Sequence, residues 1–77
     1  SHDTTLGRDI TLEPNIVFGP GVSIADGVRI RANCYLEGAT VAQGAIVGPF
    51  ARLRPGAHLH PDVHIGNFVE VKNVTLG

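Results

Sequence analysis

A six-residue period in the apolar residues runs through nearly the whole chain and limits the folds open to it. No α-helix repeats every six residues, whereas in a β-helix each hexapeptide supplies one short strand and one corner. The period occupies Leu6, Leu12, Phe18, Ile24, Ile30 and Leu36, then, after a repeat one residue short, Val41, Val47, Leu53, Leu59, Ile65 and Val71, with Leu76 following a second short repeat. The pattern therefore predicts an all-β fold, a parallel β-helix of hexapeptide repeats.

A second apolar series lies four residues after most members of the first, and many of its members are small. It includes Cys34, Ala45, Ala51 and Ala57, which predicts a tight interior in which Cys34 is a core residue. Three hexapeptides form one triangular coil, and stacked strands lie about 4.8 Å apart. The repeats therefore predict about four coils and a stack on the order of 20 Å tall. The short repeats begin at Leu36 and Val71 and are predicted to shorten the same corner.

Composition restricts the chain to one domain and excludes several functions. The 77 residues carry six basic and seven acidic side chains, a near-neutral balance that argues against a nucleic-acid surface. The sequence contains no apolar run long enough to cross a membrane and no signal peptide. One cysteine cannot form an internal disulfide, which favours a cytoplasmic protein. Residues 1–3 begin Ser1-His2, as an expression-tag remnant would, and the chain as a whole is interpreted as part of a longer solenoid.

Charged residues at one corner form the first candidate site. Arg54 and Lys72 are 18 residues apart, so both are predicted at one corner, one coil above the other, with Glu37 below them. An arginine fork beside a mobile lysine charge suits a phosphate group. The alternative is that both cations are ordinary solvated charges, neutralised by Glu37 or Glu70.

Three histidines form a second candidate, in the segment His58-Leu59-His60-Pro61-Asp62-Val63-His64. Zinc accepts imidazole ligands readily, and some β-helix enzymes bind it through histidines between subunits. The repeat, however, assigns His60 to one position and His58 and His64 to another, near two different corners. A polar outer edge is therefore the favoured interpretation, with a zinc-binding β-helix as the weaker alternative.

Two segments resemble a known family. The stretch from Gly48 to Ala57 reads G-P-F-A-R-L-R-P-G-A, and the stretch from Val63 to Lys72 contains G-N-F-V-E-V-K. These resemble the first coils of the C-terminal domain of the bacterial bifunctional glucosamine-1-phosphate acetyltransferases / N-acetylglucosamine-1-phosphate uridyltransferases. The resemblance covers residues 4–77, and it implies a left-handed β-helix that assembles as a homotrimer.

The resemblance also implies roles for particular residues. In that family the arginine before Pro-Gly-Ala and the lysine ending the second motif contact the sugar phosphate, and these positions are Arg54 and Lys72 here. The glutamate two residues before the lysine supports a catalytic histidine, which implies that role for Glu70. The substrates implied are acetyl-CoA and glucosamine-1-phosphate, on the route to UDP-N-acetylglucosamine. Magnesium is implied only for the uridyltransferase domain.

The chain departs from the family pattern in its catalytic residues. The family's general-base histidine follows the lysine in a glycine–histidine segment, and His58, His60 and His64 do not match that motif. The acetyl-CoA contacts and the uridyltransferase domain have no counterpart in these 77 residues. We therefore expect part of a sugar-phosphate site without its catalytic base, and a chain inactive by itself. The alternative is a purely structural or trimerising β-solenoid segment that has no ligand.

Overall fold

Every regular element in residues 4–77 is a β-strand of two residues. The computed structural model describes residues 4–77, so the interpretation of Ser1-His2 as a tag remnant lies outside the described residues. The strands are β1 Thr5–Leu6, β2 Thr11–Leu12, β3 Val17–Phe18, β4 Ser23–Ile24, β5 Arg29–Ile30, β6 Tyr35–Leu36, β7 Thr40–Val41, β8 Ile46–Val47, β9 Arg52–Leu53, β10 His58–Leu59, β11 His64–Ile65, β12 Glu70–Val71 and β13 Thr75–Leu76. No helix in residues 4–77 is long and apolar enough to span a lipid bilayer.

The strands stack into three parallel sheets. The first sheet has the order β1-β4-β7-β10-β13, the second β2-β5-β8-β11, and the third β3-β6-β9-β12. Neighbouring strands in a sheet are therefore three elements apart in the chain, which means that each coil places one strand in every sheet. This topology confirms the all-β parallel β-helix of about four coils that the six-residue period predicts. The left-handed sense stays a prediction from the family resemblance.

The register shows where the two short repeats lie. In the first sheet Thr5 pairs with Ser23, Ser23 with Thr40, Thr40 with His58, and His58 with Thr75. The pairing steps thus alternate between 18 and 17 residues. Both short steps fall in the connection from the third sheet to the first, which we call the third corner. The prediction that one corner is shortened twice is confirmed.

Inward-facing side chains fill the prism. The second residue of each central strand is buried, as at Ile30, Leu36 and Leu53, and the smaller residues four positions later are buried with them. Cys34, Ala45, Ala51 and Ala57 all belong to this core. The first coil packs on one side only, so Leu6 and Leu12 are 46 % and 44 % exposed.

Each corner turns through a residue in the left-handed region of φ. Glycine, asparagine and aspartate occupy most of these positions, since they tolerate φ near +60° better than other residues. The exceptions lie between the second and third sheets, where Asn15 and Asn33 are followed up the stack by Phe50 and Phe68, with φ of 58° and 56°. A bulky side chain in this region is strained.

Candidate functional site

Four residues at the third corner form a vertical column, which we call the charge column: Gly19, Glu37, Arg54 and Lys72. Each begins the connection after an inward-facing residue of the third sheet. The Glu37 N–H donates to the Leu53 carbonyl oxygen and the Arg54 N–H to the Val71 carbonyl oxygen, both at 2.8 Å. These backbone hydrogen bonds join each residue of the column to the next coil. The predicted vertical row of Glu37, Arg54 and Lys72 is therefore confirmed as an arrangement, while its role stays a prediction.

The sequence places these charges outside the prism for a simple reason. Leu36, Leu53 and Val71 point into the core and are almost fully buried. The residue after each of them leaves the strand and faces outward at the corner. A charged side chain there costs little desolvation, and successive coils bring such side chains about 4.8 Å apart along the stack.

Arg54 contacts two carboxylates. Its Nε lies 3.8 Å from Glu37 Oε1, and its Nη1 donates to Glu70 Oε2 at 3.4 Å. Both distances exceed the 2.7–2.9 Å or so of a strong charge-assisted hydrogen bond. Glu37 and Glu70 therefore lie close enough to balance the charge of Arg54, whereas the alternative that both cations are neutralised in this way stays a prediction. Among residues 4–77, no carboxylate lies within 4 Å of the exposed Lys72 ammonium.

One Arg54 donor lacks an acceptor within the described part of the chain. The Nε atom is inaccessible to solvent, and no hydrogen-bond partner lies within reach of it. The arginine side chain as a whole is 34 % exposed, and its Nη2 is accessible to solvent. The guanidinium therefore has a buried edge toward Glu37 and an accessible edge toward Glu70.

Tyr35 extends this cluster onto the face of the third sheet. Its hydroxyl donates to Glu37 Oε1 at 3.0 Å. This hydrogen bond raises the pKa of the phenol, partial burial and the Glu37 charge raise it further, and Arg54 and Arg52 oppose the shift. The Arg52 guanidinium also lies over the Tyr35 ring, 5.6 Å from its centre. Sequence reasoning missed this contribution, although Tyr35 stands only two residues before Glu37.

An aromatic pair borders the same face on its other side. Phe50 and Phe68 stack with ring centres 5.1 Å apart and planes 5° from parallel, and Phe68 is 78 % exposed. This pair lines an open groove together with Tyr35, Arg52 and Glu70. The 18-residue spacing of the two phenylalanines, the same as that of Arg54 and Lys72, would have predicted the stack.

The histidines do not converge. His58 is on β10 of the first sheet, His64 is on β11 of the second, and His60 lies in the connection between them. Within residues 4–77 no three His, Cys, Asp or Glu side chains are grouped so that they could hold a metal ion. This arrangement fits the polar outer edge and lends no support to the zinc alternative.

Cys34 is a core residue, as the repeat predicts. It is 2 % exposed, and burial raises the pKa of its thiol. Its Sγ is 3.8 Å and 3.9 Å from the carbonyl oxygens of Ala32 and Val47. A buried thiol with a raised pKa is a poor nucleophile, so the structure assigns it packing alone.

Comparison with known proteins adds no family assignment. No protein-family model matches the chain, and no curated protein sequence matches it.

Proposed function

We propose that this chain forms part of an acetyltransferase domain that transfers acetyl from acetyl-CoA to glucosamine-1-phosphate, on the route to UDP-N-acetylglucosamine. Arg54 and Lys72 would hold the sugar phosphate. The observation that carries the proposal is their position on successive coils of one column, with their backbones joined through Val71. The motifs around Gly48–Ala57 and Val63–Lys72, which resemble those of the acetyltransferase family, point to the same two residues.

The column suits a phosphate for an electrostatic reason. Two unit positive charges about 5 Å apart repel by roughly 3 kcal/mol at an effective dielectric near 20, and by less than about 1 kcal/mol in water. A dianion between them converts this repulsion into attraction. The arginine supplies a planar fork that can make two parallel hydrogen bonds, and the lysine supplies a mobile point charge.

In the proposed reaction, the residues of this chain position the sugar phosphate. The 2-amino nitrogen of the sugar attacks the thioester carbonyl carbon, a general base accepts the proton from that nitrogen, and the C–S bond breaks to release CoA. Phosphate contacts at Arg54 and Lys72 would orient the amino group for this attack. The base and the acetyl-CoA contacts would come from residues outside these 77, so we expect no acetyl transfer by this chain alone.

The proposal includes self-association: the chain would form a homotrimer with the site between neighbouring subunits, and the protein would act in a bacterial cytoplasm. Exposed apolar side chains support self-association. Phe68 is 78 % exposed and Phe50 47 %, and Val17, on β3 of the adjoining third sheet, is 54 % exposed. Large exposed apolar side chains grouped along one face are typical of surfaces that another subunit covers.

The alternative is a structural or trimerising solenoid segment that binds no ligand. One observation favours it, namely that Arg54 already contacts Glu37 and Glu70. A cation with two carboxylate neighbours needs no phosphate for charge balance. The two proposals therefore differ in whether an anion binds at the charge column.

Binding of N-acetylglucosamine-1-phosphate to the ¹⁵N-labelled chain distinguishes the two proposals. We expect shift changes at Arg54 and Lys72, with a dissociation constant of about 1 mM or weaker for so exposed a site. Lys72→Ala should weaken binding about fivefold, the effect of one exposed charge contact. Light scattering on the same samples gives the oligomeric state with and without the sugar phosphate.

The matched controls are Arg29→Gln and unphosphorylated N-acetylglucosamine. Arg29 is an exposed cation on the second sheet, away from the charge column, so its replacement should leave the affinity unchanged. The sugar without phosphate should not change the chemical shifts of Arg54 and Lys72. If the sugar phosphate caused no chemical-shift change, or if Lys72→Ala and Arg29→Gln lost the same amount of affinity, the structural alternative would be favoured.

A further inference from the structure

We propose that Glu70 is a displaceable counter-ion that occupies the accessible edge of Arg54 until an anion replaces it, while Glu37, anchored by Tyr35, stays on Arg54 and orients it. This inference rests on the proposed phosphate site and assigns a positioning role to Glu37 and Tyr35 within it. The four side chains form one chain of contacts, from the Tyr35 hydroxyl through Glu37 and Arg54 to Glu70.

Electrostatic repulsion favours the departure of one carboxylate. Glu37 and Glu70 already place two negative charges beside Arg54, and the other cations nearby are Lys72 and Arg52, which lies over the Tyr35 ring and pairs in register with Glu70. A phosphate dianion arriving beside Arg54 would face two carboxylates on the same guanidinium. Repulsion between like charges at contact distance is strong even with partial solvent screening. Binding is therefore stronger when one carboxylate gives up its contact with Arg54.

The contacts indicate which carboxylate leaves. Glu37 accepts the Tyr35 hydrogen bond at 3.0 Å in addition to its contact with Arg54, and its side chain is 30 % exposed. Within the described part of the chain, the Glu70 carboxylate has one polar contact, at 3.4 Å to Arg54, and its side chain is 53 % exposed. An exposed, singly held carboxylate regains full hydration when it swings away. Glu70 is therefore the group that an anion displaces.

The buried Arg54 Nε explains why Glu37 stays. This donor is inaccessible to solvent and has no hydrogen-bond partner among residues 4–77, and Glu37 Oε1 lies 3.8 Å from it. A ligand arriving from outside cannot reach the buried edge of the guanidinium, whereas Glu37 can close on it by a small movement. The bound state then has Glu37 on Nε, the phosphate on the accessible side of the guanidinium, and Glu70 released from Arg54, which leaves it available for the base-supporting role that the family resemblance implies.

Three variants separate this arrangement from a simple effect of net charge. Glu70→Gln and Glu37→Gln each remove one negative charge next to the same guanidinium and keep the side-chain shape. Tyr35→Phe keeps the ring under Arg52 and every charge, and removes only the hydroxyl that anchors Glu37. The probe is inorganic phosphate, titrated at constant ionic strength and followed at the Arg54 Nε–H and Lys72 amide signals of each folded variant.

We expect Glu70→Gln to tighten phosphate binding about two- to fivefold, because it removes the competing anion. Glu37→Gln should give no gain, and Tyr35→Phe should weaken binding about twofold, since both loosen the arginine. In the original chain the Arg54 Nε–H signal should move downfield on phosphate addition, as Glu37 closes on it. Tyr35→Phe should reduce this movement, which a purely structural role for Tyr35 would leave unchanged.

The outcomes distinguish failure of this inference from failure of the proposed function. Equal tightening by Glu37→Gln and Glu70→Gln would overturn the inference, because net charge alone would then set the affinity. Phosphate binding that depends on Lys72 but not on Glu70 would also overturn it and would leave the proposed function intact. Failure of phosphate to bind the original chain and Glu70→Gln alike would refute both.

Discussion

At the residue scale, Gly48 is constrained by its neighbour as well as by its backbone. Its φ is 83°, in the left-handed region, and a Cβ added there would overlap Cys34 Sγ in the core. We predict that Gly48→Ala lowers the free energy of unfolding by about 2–3 kcal/mol, through backbone strain and overpacking. Urea unfolding followed by circular dichroism measures the change.

Gly66 is the matched control, because it occupies the same column one coil further on. A Cβ added there would meet nothing within 4 Å, and its φ is not in the left-handed region. Gly66→Ala should leave the free energy of unfolding unchanged or raise it by up to about 1 kcal/mol. A similar loss in both variants would show that the Cys34 contact is not the cause.

Tyr35 gives a direct optical readout of the cluster at the third corner, because it is the only tyrosine in the chain. The Glu37 hydrogen bond raises its pKa above the ordinary value of 10.0. We predict that the native absorbance titration at alkaline pH has its midpoint above 10, and that Glu37→Gln lowers the midpoint toward 10. Glu13→Gln, at a different corner with Arg31, should leave it unchanged.

The same shift has a consequence for stability. The native state holds the phenol proton more tightly than the unfolded chain, so the stabilisation is fully present below pH 10 and is lost as the pH rises through the raised native pKa. The free energy of unfolding should therefore fall at alkaline pH in the original chain. An alkaline loss of the same size in Tyr35→Phe would show that another group is responsible.

At the element scale, the stacked phenylalanines offset backbone strain with an aromatic contact. Phe68 has φ of 56°, where Asn15 and Asn33 stand in the same column, and its ring stacks on Phe50. Left-handed φ in a bulky residue costs on the order of 1–2 kcal/mol, and an aromatic pair contributes about 0.5–1.5 kcal/mol. Because Phe50 is strained as well, with φ of 58°, the single stack offsets only part of the strain that the pair carries.

Two substitutions at position 68 separate these effects. Phe68→Ala loses the stack and keeps the strain, so we predict a loss of about 1 kcal/mol in the free energy of unfolding. Phe68→Asn loses the stack and relieves most of the strain, so the change should stay within about 0.5 kcal/mol. Thermal and urea unfolding of the two variants measure the difference. Asparagine no better than alanine would mean that strain is not stored at this corner.

The sequence predicts the strands and their register because one physical rule governs them. Inward residues recur every six positions, so the pairing of β9 with β12, and hence the column of Arg54 and Lys72, follows from counting. The contacts of Arg54 with Glu37 and Glu70 do not follow from counting, because long side chains have many rotamers. The strained φ of Phe50 and Phe68 was also unpredictable, since asparagine and glycine are the residues that mark such positions.

At the scale of the whole molecule, the charge column exists only because separate coils are stacked. Glu37, Arg54 and Lys72 follow β6, β9 and β12, each in a different coil. Each coil contacts only its neighbours, as in other solenoids, so stability passes along the axis through nearest-neighbour packing. Loosening one central coil would therefore separate the members of the site as well as destabilise the fold.

The position of a leucine along the axis should accordingly decide its contribution to stability. Leu36 is fully buried between Phe18 and Leu53 in the third sheet, whereas Leu12 in the first coil is 44 % exposed and packs on one side. We predict that Leu36→Ala lowers the free energy of unfolding by about 2–4 kcal/mol, and Leu12→Ala by less than about 1.5 kcal/mol. Urea unfolding provides both values, and the amide exchange rate of Arg54 shows whether the loss reaches the charge column. Equal losses would contradict an axial gradient and would mean that the first coil is as tightly packed as the centre.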